Sequence, residues 1–174
     1  MRRLLLFRHA KATIATGHHD HERALIDRGR RDAARIAAFL KISGLVPALV
    51  VHSDARRARE TAEAALELWP RAVEARSEPR LYEATRPEVE AIVRGLPDRV
   101  ASVMLVGHNP SIADAANHLV GEGAEFDLLR LSSKFPTAGV AALDFDVAHW
   151  RDVAPHSAKL ACFATPDDPN VLKA

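Results

Sequence analysis

Short apolar runs mark four candidate strands in this 174-residue chain. The runs at 3–8, 48–52 and 102–106 are rich in Val and Leu and are bounded by polar or turn residues. Continuous apolar runs of this length are typical of the inner strands of a parallel sheet, which are buried on both faces. A fourth run, at 140–145, is similar but carries an acidic residue, Asp144, near its end. The pattern predicts strands at these four positions.

Segments with the period of a helix lie between the runs. In residues 28–41 the apolar side chains fall on one stripe, and Asp27 is a suitable N-cap. Three further helices are predicted at 55–69, which Pro70 ends, at 86–96, which Thr85 caps, and at 111–120, which Pro110 opens and Gly121 ends.

The alternation of strands and helices indicates the fold class. Consecutive βαβ units give a mostly parallel sheet, so we expect an α/β protein, a three-layer αβα sandwich with helices on both faces of the central sheet. The length suits a single domain over residues 1–174. In such sheets ligands bind beyond the carboxyl ends of the strands, and the residues that follow the strands are therefore the first candidates for chemistry.

Composition and charge exclude several classes of protein. Hydrophobic residues make up 48% of the chain, and 24 Lys and Arg against 23 Asp and Glu give a net charge of +1, which disfavours a nucleic-acid binder. The single cysteine, Cys162, excludes an internal disulfide and favours a reducing compartment. The N-terminal apolar run is too short for a signal peptide, and no segment is long enough to span a membrane. We expect a cytoplasmic protein without nucleic-acid or membrane partners.

Cationic side chains follow three of the predicted strands. Arg8 and His9 end the first strand, Arg56 and Arg57 follow the second, and His108 follows the third. Each alone would be an ordinary solvated or structural residue, but together at one sheet edge they would repel one another without a shared anion. Arginine matches phosphate oxygens bidentately, and a neutral imidazole is a competent nucleophile. The pattern predicts a phosphatase with a phosphohistidine intermediate and without metal or cofactor, since the arginines supply the charge stabilisation.

The same segments resemble a known family. The stretches "LFRHAKA" (6–12), "SDARRARETA" (53–62), "VGHNP" (106–110) and "KFPTAGVAALDF" (134–145) are similar, in order and spacing, to the motifs of the histidine phosphatase superfamily. The compact length and Ala10 make the resemblance strongest to the small SixA-type phosphohistidine phosphatases. The resemblance implies that His9 is the nucleophile, and that Arg8, Arg57 and His108 bind the phosphoryl group.

One position departs from the family pattern, and at another the residue's role has two explanations. Asp54 stands where the family usually has Pro, and it can still cap the helix that follows. Larger members use a carboxylate as the leaving-group acid, and Glu83 in "LYEA" (81–84) is the candidate here. Glu83 is equally well explained as a solvated residue before the helix that Thr85 caps. The acid is dispensable for phosphohistidine, because its imidazole leaves readily once protonated.

The histidine-rich segment "GHHDHERAL" (17–25) suggests a metal site at first sight. Adjacent histidines rarely converge on one ion without regular spacing, and we expect no metal there. The resemblance explains the segment better, as a loop that flanks the pocket. The family pattern of an Asp, an Arg-x-Leu and an Arg-Gly is met by Asp20 or Asp27, by Arg23 and Leu25, and by Arg28 and Gly29.

The small size also predicts the kind of substrate. After the four motifs little chain remains to enclose a metabolite, so an open pocket is expected, suited to a phosphorylated side chain on a partner protein such as a phosphocarrier or phosphorelay domain. A phosphatase of small phosphorylated molecules is the alternative. A non-catalytic phosphate-binding module has no need of His9, and a mutase would need a positioned acid and an enclosed site.

Overall fold

The computed structural model describes residues 1–14, 19–70 and 72–174, and within them the chain forms seven strands and six helices. The strands are β1 (Arg2–Arg8), β2 (Leu49–His52), β3 (Glu74–Ser77), β4 (Ser102–Gly107), β5 (Val120–Glu122), β6 (Val140–Phe145) and β7 (Ala158–Ala164). The helices are α1 (Asp27–Ile42), α2 (Arg56–Leu66), α3 (Arg86–Arg94), α4 (Ser111–Leu119), α5 (Glu125–Ser133) and α6 (Pro169–Leu172).

The strands form one sheet in the order β3-β2-β4-β1-β6-β7-β5. The first four strands in this order pair in parallel, β6 runs antiparallel to both β1 and β7, and β5 pairs in parallel with β7. The sheet is therefore mostly parallel, and the predicted α/β class is confirmed. None of the helices in the described parts of the chain is both long and apolar enough to cross a membrane.

Helices cover both faces of the sheet, which makes three layers. Strand β1 shows why, because Leu4 and Leu6 pack into one hydrophobic cluster, with α3, α4 and α5, whereas Leu5 and Phe7 pack into the other, with α1, α2 and α6. All four side chains are fully buried. Alternate side chains of a strand lie on opposite faces, so a continuous apolar run is what a strand between two helical layers requires.

Two of the predicted helix caps are wrong. Helix α1 begins at Asp27 itself, after Ile26, and no side chain caps it. Helix α2 follows Ala55, and Asp54 instead lies against His21, with 3.1 Å between Oδ1 and Nε2. In both places the loop before the helix is held by other contacts, so a capping hydrogen bond is not what fixes the helix start.

The predicted cap of α3 is confirmed. The carboxylate of Glu88 accepts hydrogen bonds from the backbone N–H and the hydroxyl of Thr85, each at 2.7 Å. Helix α2 is shorter than predicted, since it ends at Leu66, and Trp69 leaves the helix to donate its indole N–H to the carbonyl of Ala37 at 3.0 Å. Likewise α4 ends at Leu119, so that the predicted terminator, Gly121, lies within β5.

The centre of the sheet brings three strand ends together. Strands β2, β4 and β1 are neighbours, and the hydrogen bonding to β4 continues one residue beyond β1 and one residue beyond β2. The backbone N–H of His9 donates to the carbonyl of Gly107, and that of Ser53 donates to the carbonyl of Val106, both at 2.9 Å. The residues that follow these strands are therefore held at one rigid edge.

Candidate active site

Three of the predicted site residues are buried together at this edge. The ring centroids of His9 and His108 lie 5.1 Å apart, and Nε of Arg57 lies 3.3 Å from Nε2 of His9. Arg57 enters from the first turn of α2 with a side chain that is only 7% exposed. Arg8, the last residue of β1, is half-buried beside His9. The structure thus brings Arg8, His9, Arg57 and His108 together at this edge.

The hydrogen bonds of His9 fix its tautomer. Nδ1 lies 2.8 Å from the carbonyl oxygen of Ala10, which can only accept, so Nδ1 carries the proton. Nε2 is left with a lone pair, toward which Arg57 directs its Nε–H. Burial, together with the charges of Arg57 and Arg8, lowers the pKa of His9 to about 4. The ring is therefore neutral near neutral pH, with a nucleophilic nitrogen.

Helix α2 also fixes the backbone next to His9. Thr61 accepts a hydrogen bond from the N–H of Ala10 at 3.0 Å and donates its hydroxyl to the carbonyl of Arg57 at 2.6 Å. One buried threonine thereby joins the β1 loop to the helix turn that carries Arg57. This contact gives a physical reason for a threonine four residues after the arginine.

His108 presents a buried N–H group. Its Nε2 lies 2.9 Å from Oγ of Ser53, which accepts from the backbone N–H of Ala55 at 3.2 Å. The Ser53 hydroxyl has no other acceptor among the described residues, so we assign it as the donor to Nε2, which places the proton of the neutral His108 ring on Nδ1. Burial and the nearby His9 and Arg57 lower the pKa of His108 to about 3. Nδ1 is buried without a hydrogen-bond partner among the described residues.

Arg8 also has a buried N–H donor, Nε–H, that has no hydrogen-bond partner among the described residues. Its Nη1 donates to the carbonyl of Phe135 at 2.9 Å, and the side-chain amide of Asn109 donates to the same oxygen at 3.0 Å. Nε of Arg8 is buried, and no described residue accepts a hydrogen bond from it. Lys134, beside Phe135, is exposed. A buried donor without an acceptor costs about 1–3 kcal/mol, so this site is suited to an anionic ligand.

Sequence reasoning left Asp20 and Asp27 as equal candidates, and the structure separates them. Asp20 accepts from Nη1 of Arg57 at 2.7 Å through its carbonyl and from Nη2 at 3.0 Å through Oδ2. Arg23 donates to Oδ1 at 2.9 Å, and the hydroxyl of Tyr82 donates to Oδ2 at 2.9 Å. The hydrogen bond from Arg23, with those from Tyr82 and Arg57, lowers the pKa of Asp20 to about 2. Asp27 is exposed at the start of α1.

Tyr82 is a site residue that the sequence did not single out. Its ring lies edge-on to His108, with centroids 5.6 Å apart, and the guanidinium of Arg57 lies 5.9 Å from its centre. His21 packs edge-on against its other side at 4.8 Å. His21, Tyr82, His108 and His9 thus form a continuous row of rings along the site.

Glu83 is not joined to this group. It is exposed, its backbone is left-handed with φ of 53°, and it makes neither a hydrogen bond nor an ion pair with the residues the structure describes. Its neighbour Tyr82 is the residue that contacts Asp20 and His108. The role of Glu83 as leaving-group acid stays a prediction.

The histidine-rich segment is only partly described. His18 lies outside the described residues, His19 is exposed, and His21 faces carboxylate oxygens of Glu22 and Asp54 at 3.2 and 3.1 Å. Within 1–14, 19–70 and 72–174, no group of three or more His, Cys, Asp or Glu side chains is placed to hold a metal ion.

Known proteins resemble this chain over nearly all of its length. Residues 4–94 match the family model of the histidine phosphatase superfamily (branch 1). An uncharacterized protein of Mycobacterium leprae (strain TN) is 36% identical over 168 residues, which cover 91% of this chain and 99% of the relative. The crystal structure of a candidate phosphohistidine phosphatase SixA from Agrobacterium tumefaciens is similar with a TM-score of 0.79 and 30% identity, covering 95% of this chain and 98% of that one. Its counterpart from Nakamurella multipartitia gives 0.78 and 29%, covering 96% and 97%.

Proposed function

This chain belongs to the histidine phosphatase superfamily (branch 1) and is of the SixA type, and we propose that it is a metal-independent phosphatase that acts through a phosphohistidine intermediate on His9. One observation carries the proposal. The buried, neutral ring of His9 keeps a lone pair on Nε2, and its neighbours Arg8 and His108 each keep one buried nitrogen, Nε and Nδ1, without a partner among the described residues.

In the first step, Nε2 of His9 attacks the phosphorus atom of the substrate. The bond from phosphorus to the leaving group breaks, and the leaving group takes the electron pair and a proton from solvent. Arg8, Arg57 and Nδ1–H of His108 hold the phosphoryl oxygens and stabilise their charge in the transition state. The hydrogen bond from Nδ1 of His9 to the carbonyl of Ala10 stabilises the positive charge that the ring acquires.

In the second step, water attacks the phosphorus atom of the intermediate. The P–N bond to His9 breaks, phosphate leaves, and the ring regains its lone pair. This bond is labile, because an imidazole is a good leaving group once it is protonated. No metal is needed, since the arginines provide the charge that Mg²⁺ provides in kinases.

Phosphohistidine on a partner protein, such as a phosphocarrier or phosphorelay domain, is the proposed substrate. The position of Glu83 supports it, because neither a hydrogen bond nor an ion pair joins this exposed carboxylate to the described residues around His9. A site without a positioned acid favours a leaving group that departs easily, and the imidazole of phosphohistidine is one. The alternative is a small phosphorylated molecule.

The test compares turnover of a phosphohistidine protein, p-nitrophenyl phosphate and a panel of metabolite phosphates by the wild type and by His9→Ala. We expect the phosphohistidine protein to react fastest, and His9→Ala to lose turnover while it still binds phosphate. His149→Ala, which removes a partly exposed ring paired with Asp98, is the matched control and should react like the wild type. Faster turnover of a metabolite phosphate would establish the small-molecule alternative. Appreciable turnover by His9→Ala would refute the nucleophile assignment.

A further inference from the structure

Asp20 accepts two hydrogen bonds from one edge of the Arg57 guanidinium group. Nη1 of Arg57 donates to the backbone carbonyl of Asp20 at 2.7 Å, and Nη2 donates to its carboxylate at 3.0 Å. The two bonds come from one residue and engage the two terminal nitrogens of a rigid, planar guanidinium. When that edge is fixed, the direction of the remaining Nε–H group is fixed as well.

The direction of Nε–H matters because it ends at His9. Nε of Arg57 lies 3.3 Å from Nε2 of His9, the nitrogen that carries the lone pair. The Arg57 side chain is buried, so solvent has little access to orient it. The hydrogen bonds from Arg57 to Asp20 are therefore the contacts that set the angle between this cation and the nucleophilic nitrogen.

Asp20 is itself held on both carboxylate oxygens. Arg23 donates to Oδ1 and Tyr82 donates to Oδ2, and Arg23 is in turn anchored by its Nε to the carbonyl of Thr13 at 2.6 Å. The ring of Tyr82 packs against His108. Asp20 thus connects the guanidinium end of Arg57 to the part of the site that contains the second histidine.

We propose that Asp20 is a positioning residue that fixes Arg57 against the attacking nitrogen of His9, at the expense of oxyanion affinity. The inference rests on the function proposed above. An ionised carboxylate beside a phosphate site repels the phosphate in the ground state, while the ordering of Arg57 benefits the transition state. Asp20 therefore weakens the binding of phosphate and speeds turnover, so replacing it should strengthen binding and slow turnover. A residue with only a structural role would weaken both when it is replaced.

The test uses Asp20→Asn, with Asp27→Asn as the matched control, since Asp27 is an exposed carboxylate at the start of α1. Turnover of the phosphohistidine protein gives kcat and KM, and calorimetry gives the Kd of inorganic phosphate. We expect kcat of Asp20→Asn to fall roughly a hundredfold, as for a misplaced catalytic group. The Kd of phosphate should decrease by about three- to tenfold, because a repulsive charge is removed. Asp27→Asn should leave both unchanged.

Tyr82→Phe gives an independent measurement. It removes one donor to Asp20 and keeps the carboxylate, so kcat should fall a few-fold while the Kd of phosphate stays within about twofold. A kcat of Asp20→Asn within about twofold of the wild type overturns the proposal, and so does a loss of phosphate affinity that parallels the loss of kcat. If circular dichroism shows Asp20→Asn to be unfolded, an unaltered kcat of Tyr82→Phe overturns it.

Failure of the proposed function has a different signature. A wild-type protein without turnover on any phosphorylated substrate refutes the phosphatase assignment, whatever the variants do. In that case the Kd of phosphate, measured by calorimetry, is the test of the role proposed for Asp20, since the contact between Asp20 and Arg57 exists without turnover. An unchanged Kd of phosphate in Asp20→Asn would overturn the inference in that case.

Discussion

Acidification from about pH 7.5 to about pH 5 is expected to destabilise this protein through His9 and His108. Burial lowers their pKa values to about 4 and about 3, whereas a histidine in an unfolded chain has a pKa of about 6.5. The unfolded chain therefore binds more protons than the folded protein in this interval. The contribution of these two rings to the free energy of unfolding is greatest above about pH 6.5 and decreases as the pH falls below that value.

The size of the loss follows from the width of the interval. Each ring contributes a slope of about 1.4 kcal/mol per pH unit over roughly 1.5 units, so each costs about 2 kcal/mol by about pH 5. The pair costs about 4 kcal/mol, a large share of the 5–15 kcal/mol that is typical of folded domains. The result requires only that both rings stay unprotonated in the folded protein at about pH 5, which pKa values of about 4 and about 3 satisfy.

Urea unfolding in phosphate-free buffer at the two pH values measures this loss. We expect His9→Gln and His108→Gln each to lose about 2 kcal/mol less stability than the wild type loses, because one of the two titrating rings is removed. The acidic neighbours of His21 raise its pKa, which has the opposite sign, but His21 is present in all three proteins and its effect cancels. A variant that loses as much stability as the wild type would show that the replaced ring has the same pKa in the folded protein and in the unfolded chain. The reasoning from burial would then be wrong.

Three further changes test the site and its support. EDTA should leave turnover unaffected, and a loss that zinc or magnesium restores would reinstate a metal mechanism. Glu83→Gln should slow hydrolysis of alkyl phosphates more than that of phosphohistidine, and equal effects on both would argue against its role as leaving-group acid. Gly29→Ala would place a Cβ 2.1 Å from the carbonyl oxygen of Lys11, and a loss of about 1–3 kcal/mol is expected in urea unfolding. An unchanged unfolding midpoint in that variant would show that α1 can shift away from the loop after β1.

The central strands could be predicted from the sequence because burial on both faces leaves a continuous apolar run. Strands β1, β2 and β4 have this pattern, and each prediction was correct to within about one residue. Strand β3 lies at the sheet edge with every side chain exposed, and β5 is only three residues long. Neither has a hydrophobic pattern to recognise.

In the candidate site, too, the residues next to central strands could be predicted from the sequence, and the others could not. Arg8 ends a central strand, and His9 and His108 directly follow central strands, so the topology alone brings them together. Asp20 and Tyr82 reach the site from loops, whose paths depend on tertiary contacts rather than on a local period. The only sequence signal for the tyrosine was its rarity, since it is the single one in the chain.

The backbone acceptors in this site affect how it tolerates mutation. The carbonyl of Ala10 orients His9, and the carbonyl of Phe135 holds Arg8. Every amino acid has such a carbonyl, so replacing the side chain at either position removes no acceptor. Inserting or deleting one residue in these loops would displace the carbonyl itself. Over evolutionary time the orientation of the nucleophile and of its arginine is therefore expected to constrain loop length more strongly than residue identity at these two positions.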